Sequence, residues 1–300
     1  MTSINRAVLI TGANGGVGRA LVDRFAAAGW RVFAGVRAPA SVDEPSRHRH
    51  SVVPVRIDVT DPAGLAGAYD VVAGQLHEDG LAGLTGLVNN AGKSVDGPLE
   101  LVPVDELTDG FAVNVVGAVA VTQTFLPLLR PARGRIVNMG GAAGRVAMPM
   151  YGALSASKAA LDALSDVLRM EVLHQGVHVS YVEPGALQTS FFQRSAESRG
   201  RNGYAGSPAT QDVYAAALER STRAMSTMKP GALDPVVTAV EHALTARRPA
   251  ARYVVGRDAK LITGVVRRLP TRTRDKAILR SMDLPAAAFA AGTDASRATG

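Results

Sequence analysis

Cysteine is absent from this sequence, so disulfides, thiolate metal sites and cysteine nucleophiles are excluded. A chain without cysteine is compatible with any compartment. Aromatic residues are sparse at 5%, with a single Trp. Lysine is scarce too: Lys93, Lys158, Lys229, Lys260 and Lys276 are the only ones, and Arg carries most of the +7 net charge. No run of eighteen or more apolar residues occurs, so no membrane-crossing helix is expected. The N-terminus runs almost directly into an apolar strand, Ala7-Val8-Leu9-Ile10, without the features of a secretory signal. A cytoplasmic location is the default expectation. Basic clusters stand at Arg47-His48-Arg49-His50 and between Arg267 and Arg280. No aromatic side chains interleave with them for base stacking, so solvated faces are expected there and not nucleic-acid contacts. The stretch Lys260–Arg280 could also cover a pocket or touch a membrane surface.

What the sequence does have is apolar content, 47%, enough for a sizeable core. Short β-branched runs alternate with longer helical stretches, which predicts a doubly wound α/β fold with a parallel sheet of about seven strands. Strands are expected at Ala7–Ile10, Arg31–Val36, Val52–Ile57, Gly86–Asn89, Arg135–Asn138, His178–Val182 and Arg252–Val255. Helices are expected at Val17–Ala28, Pro62–Gln75, Asp105–Leu126, Ser155–Leu173 and Pro235–Ala246. Asp61-Pro62 is a helix start, an N-cap acceptor followed by a proline whose missing N–H costs nothing at the first position. Leu261, Ile262, Val265, Val266 and Leu269 recur at helical spacing and are expected to pack on the domain. Residues 1–284 read as one domain. The segment Gln193–Pro208 reads as a mobile loop, and 285–300 as a disordered tail.

Thr11-Gly12-Ala13-Asn14-Gly15-Gly16-Val17-Gly18 follows the first strand and opens the first helix. Glycines at such a turn let backbone approach a pyrophosphate, which the helix N-terminus then favours. With this Gly-x-x-x-Gly-x-Gly spacing the chain resembles the short-chain dehydrogenase/reductase family, most closely its steroid- and retinol-dehydrogenase-like members. The resemblance continues through Asp58-Val59, Asn89-Asn90-Ala91-Gly92, Asn114, Lys158 and Glu183-Pro184-Gly185 with Thr189. It extends to Arg252-Tyr253-Val254-Val255-Gly256 and Leu269-Pro270. It implies a Rossmann-type sheet and a nicotinamide dinucleotide held by Gly12, Asn14, Gly16, Val17, Gly18, Asp58, Val59, Asn90, Ala91, Gly92, Lys158, Pro184, Gly185 and Thr189. It also implies a substrate lid near 187–229, and a homodimer or homotetramer formed through Asp105–Leu126 and Ser155–Leu173. NAD-preferring relatives carry an acid at the end of the second strand. Here the strand ends Val36-Arg37, and Arg37 could pair with a 2′-phosphate, so NADP(H) is the expected nucleotide.

The family places a Tyr four residues before its Lys and a Ser thirteen residues before the Tyr. Counting from Lys158, those positions are Leu154 and Gly141. Asn114 and Lys158 remain from the catalytic set. Losing a general acid costs about 10²–10⁴ in rate, so ordinary carbonyl reduction is expected to be inefficient. Tyr151 is the nearest phenol and a possible substitute; pocket lining is its simpler reading. Lys93 and Ser94 could reach the pocket mouth, Ser155 and Ser157 are expected to pack, and Glu183 is assigned to structure. Gly141 and Leu154 make the pocket larger and more apolar. The leading expectation is a diverged enzyme that promotes a non-redox step (cyclisation, isomerisation or cycloaddition) on an apolar specialised metabolite, with NADP(H) binding retained. An NADPH-dependent carbonyl reductase with a substitute proton donor and a non-catalytic NADP(H)-binding scaffold or sensor are the alternatives.

Overall fold

The structure is a computed structural model in which residues 4–39, 51–187, 203–227 and 230–289 are described. Seven parallel strands form one sheet in the order β3-β2-β1-β4-β5-β6-β7. They are β1 (Ala7–Thr11), β2 (Arg31–Val36), β3 (Val52–Arg56), β4 (Gly86–Asn89), β5 (Arg135–Met139), β6 (His178–Pro184) and β7 (Arg252–Val255). Every residue of β1 and β2 is buried, as expected of parallel strands covered by helices on both faces. β1 pairs with β2 on one side and β4 on the other. The strand order therefore reverses between β1 and β4, where such sheets open a crevice beyond their carboxyl ends.

The helices are α1 (Gly16–Ala27), α2 (Pro62–Glu78), α3 (Val104–Phe111), α4 (Gly117–Leu129), α5 (Gly152–Val172), α6 (Pro208–Thr227), α7 (Asp234–Thr245), α8 (Arg257–Gly264) and α9 (Thr271–Ser281). One core layer sets Phe25, Trp30 and Val240 against one sheet face; the other sets Leu65, Phe125 and Leu129 against the opposite face. Asp61 caps α2 as its sequence predicts, accepting the Gly64 N–H at 3.0 Å.

A π-helical segment, Ala112–Val116, joins α3 to α4. Val104–Leu129 is consequently one helical rod, long and apolar enough by length and composition to cross a membrane. This departs from the sequence expectation, which looked for an unbroken apolar run; Thr108, Asp109, Asn114, Thr122 and Gln123 interrupt it. The rod is a wall of the domain, with Val121, Phe125 and Leu129 fully buried against the sheet.

Two further expectations are corrected. The predicted tail begins inside the fold: Ala286–Phe289 form a 3₁₀ turn, and Ala288 is buried with Met150, Ala217 and Ile278. Of the predicted apolar stripe, Ile262 and Val266 pack inward but Leu261 and Val265 are more than half exposed. Most of the predicted Gln193–Pro208 loop, the Arg47–His50 cluster and residues 290–300 lie outside the described residues.

Candidate active site

The carboxyl ends of β1, β4, β5 and β6 open on a continuous cavity of about 1210 Å³. That exceeds the roughly 300–1,000 Å³ of ordinary small-molecule pockets, which leaves room for a nucleotide and a second ligand together. The β1–α1 loop supplies Gly12, Asn14, Gly15, Gly16 and Val17. α1 begins after Gly15 with no side-chain cap, so its first N–H groups are available to an anion. Gly12 has φ +63°, and a Cβ there would lie 2.9 Å from the Ala91 Cα. A Cβ on Gly18 would overlap the Gly12 carbonyl oxygen, so Gly18 supports the turn from beneath without lining the cavity.

This loop is laced to the strand beside it. The Thr11 hydroxyl accepts the N–H groups of Asn90 and Ala91, each at 3.0 Å. Asn90 Nδ2 donates to the carbonyls of Thr11 at 3.0 Å and Gly12 at 3.1 Å. Thr11 thus carries the geometry of the switch point, a role that the glycine pattern does not disclose. Arg37, Asp58, Val59 and Thr60 line the far end of the cavity. Asp58 accepts the Thr60 N–H and hydroxyl, and these bonds hold its carboxyl below the usual range, with smaller contributions from Arg37 and Arg56.

Lys158 stands at the deep end. It is buried, and its Nζ donates to the Met139 carbonyl at 2.8 Å. Loss of hydration disfavours the ammonium and pushes its pKa down to about 8. No carboxylate pairs with it among the described residues. Beside it the cavity wall is formed by Gly140, Gly141, Ala142, Leu154, Pro184 and Gly185. Tyr151 is the N-cap residue of α5 and lines the same cavity. A second phenol, Tyr181, lies under α5 but donates to the Lys158 carbonyl at 2.7 Å. Burial pushes its pKa up, so it stays protonated and structural. Its ring occupies the space where any Cβ on Gly140 would lie.

Asn114 sits in the π-helical segment and is 2% exposed. Its Oδ1 accepts the Lys93 N–H, and its Nδ2 donates to the Lys93 carbonyl and to Ser157 Oγ. It pins the Asn90–Lys93 loop to α5, and among the described residues it makes no direct bond to Lys158. Ser157 and Ser155 are buried, as expected of packing residues. Lys93 and Ser94 do line the cavity, and Lys93 pairs with Glu106 at 2.7 Å. Glu183 is fully buried against Arg145 and Arg252, which also bind Asp162 on α5. The ring clamps the loop after β5, the Lys158 helix and the Pro184-Gly185 turn together. Thr189 lies outside the described residues.

The roof comes from the C-terminal third. Ala224 and Met225 of α6, Ile262 of α8, and Ala277 and Ile278 of α9 line the cavity. Asp258 joins roof to floor by accepting the Ala186 N–H at 2.8 Å. Of the segment 187–229 expected as a lid, Leu187, Ala224 and Met225 line the cavity, and residues 188–202 and 228–229 lie outside the described residues.

The short-chain dehydrogenase family model matches residues 6–200. The chain belongs to that family. Over 293 residues it is 36% identical to human retinol dehydrogenase 5, covering 95% of this chain and 91% of the relative. It is 29% identical to an NADPH-dependent 3-dehydrocapnine reductase of Ornithobacterium rhinotracheale, covering 92% and 97%. A solved short-chain dehydrogenase of Burkholderia cenocepacia in complex with NADP superposes with a TM-score of 0.71 at 26% identity, covering 93% and 99%. Family members bind nicotinamide dinucleotides, and the glycine cradle and uncapped α1 terminus fit one.

Proposed function

We propose that this family member is an NADP(H)-dependent oxidoreductase of a neutral, apolar alcohol or carbonyl compound, with Tyr151 in place of the usual proton donor. The observation that carries this reading is that one cavity joins the nucleotide cradle to Lys158, Tyr151 and an apolar chamber. Tyr151, the residue before the first turn of α5, and Lys158, within that helix, both line this cavity. The chamber walls include Val146, Met148, Leu154, Leu187, Ile262 and Met282, which suit an uncharged substrate. NADPH, when bound, supplies the hydride. Gly12, Asn14, Gly16 and Val17 hold its pyrophosphate, Arg37 its 2′-phosphate, and Asp58 and Val59 its adenine. Asn90, Ala91 and Gly92 would flank it, and Pro184 and Gly185 would meet the nicotinamide side. Lys158 orients the ribose hydroxyls and returns protons to Tyr151. The NADPH-dependent relative and the NADP-bound neighbour support the choice of nucleotide. A cytoplasmic placement and a dimer or tetramer through α4 and α5 belong to the same reading.

A second reading is favoured by Gly141 and Leu154, which the family resemblance puts at its Ser and Tyr positions. A reacting end without those hydroxyls suits a non-redox step on an apolar metabolite, driven by orientation. NADPH oxidation across a panel of apolar aldehydes and ketones separates the two. Steady turnover, cut about a hundredfold or more by Tyr151→Phe, supports the oxidoreductase. A product of unchanged oxidation state with no NADPH consumed supports the second reading. Micromolar binding without any turnover would leave a nucleotide sensor.

A further inference from the structure

The C-terminal helices carry a basic, partly apolar face at the rim of the cavity. Ile262, Val266, Ala277 and Ile278 of Arg257–Ser281 turn inward to roof the cavity. Leu261 lines the cavity at its open rim and is 57% exposed, and Val265, one helical turn on and outside the lining, is 56% exposed. Exposed Arg257, Lys260, Arg267 and Arg268 flank them, and four more basic residues follow along α9. Only Asp258 and Asp275 are acidic in this stretch. Asp258 is engaged by the Ala186 N–H, and Asp275 faces Arg274 at 3.7 Å. Apart from Arg274, none of the eight basic side chains pairs with a carboxylate among the described residues.

We propose that this face docks peripherally on an anionic phospholipid bilayer, with Leu261 and Val265 in the headgroup boundary and the flanking Arg and Lys on lipid phosphates. Exposed aliphatic side chains flanked by cations match what a bilayer surface offers, apolar depth beneath negative charge. Nucleic acid offers the charge without the depth, and Arg257–Ser281 contains no aromatic residue to stack on a base. The wall that meets the lipid is also the roof of the cavity, so an apolar ligand could pass between them without crossing bulk water. Docking itself does not depend on the reaction proposed above.

The test is co-sedimentation of the full chain with phosphatidylcholine vesicles, with or without about one-third phosphatidylglycerol. Binding is expected to be at least about tenfold stronger to the anionic vesicles and to weaken steeply at high salt. R267E/R268E is expected to lose about tenfold or more, and L261S/V265S to lose binding while keeping its salt dependence. R247E/R248E makes the same change in net charge before β7, at the other end of the sheet, and is expected to bind like the wild type. Melting temperatures of all variants check folding. Equal binding to neutral and anionic vesicles, an equal loss in R247E/R248E, or tighter binding to duplex DNA than to vesicles would each overturn the proposal.

Discussion

Position 141 has room for the hydroxyl that it lacks. Its backbone is extended, with φ 173°, and a Cβ there would meet nothing nearer than the Pro184 carbonyl oxygen at 3.9 Å. Leu154 is 6% exposed and lines the cavity one turn before Lys158, so a phenol there would stand on the same face as the amine. G141S/L154Y should therefore raise NADPH-dependent reduction of an apolar aldehyde, by at least about tenfold if a general acid is being restored. The restored activity should no longer respond to Tyr151→Phe. A double variant that folds and binds NADPH but gains nothing would mean that the hydride is not delivered to this end of the cavity. A guanidinium on a 2′-phosphate is a charge-assisted contact worth about 1.5–3 kcal/mol, so Arg37→Ala should weaken NADPH by about ten- to a hundredfold and leave NADH unchanged in calorimetry. An equal loss for both nucleotides would show that Arg37 does not read the phosphate.

Between elements, the clearest electrostatic joint ties the end of α2 to the start of β2. Arg31 reaches Asp79 through two hydrogen bonds of 2.5 and 2.7 Å, and both side chains are about nine-tenths buried. The Arg31 bond is the main reason that the Asp79 carboxyl lies below its ordinary 3.8. A depressed carboxylate stabilises the fold fully above its unfolded value, and that contribution is lost as pH falls through the lower folded value. Asp79→Asn is expected to cost about 1.5–3 kcal/mol at pH 7. In urea titrations the gap from wild type should close as the pH drops below 3.8; a gap independent of pH would deny the charge any part. This joint joins residues 48 apart in sequence, which is the kind of feature a linear reading misses. β7 is legible to the residue because its β-branched end stops at Gly256, and β2 because its run from Val32 to Val36 stops at the charged Arg37. α6 is not legible: only Ala217 and Ser221 of its twenty residues are buried, so no apolar stripe marks it. The glycine cradle is readable as a pattern because backbone approach demands it. The Thr11 lacing, the Tyr181 bond and the Arg145–Glu183–Arg252 ring depend on which strands become neighbours, and spacing does not encode that.

At the scale of the whole molecule, the described residues include an exposed apolar face on α5, away from both the cavity and the basic face. Leu164, Val167 and Met170 of α5 and Leu173 just after it spread over the outward half of the helix and are 41%, 46%, 58% and 53% exposed. The neighbouring π-helical segment adds Val116, 63% exposed. Nothing in the α5 sequence needs these side chains to be apolar for the domain's own core, which takes Leu154, Leu161 and Ser165 from the opposite side. Contiguous apolar surface of this sort is costly in water and commonly marks an interface, and a twofold partner would bury the same face from both subunits. A dimer is therefore expected in sedimentation equilibrium at micromolar protein. V167E/M170E places two carboxylates at the centre of that contact, and should weaken the dimer by at least about a hundredfold, since burying an unpaired charge costs several kcal/mol. Nucleotide affinity should be unchanged, because neither residue faces the cavity. A wild type that stays monomeric at a hundred times that concentration would remove the interface, and would leave the apolar face on α5 without a role.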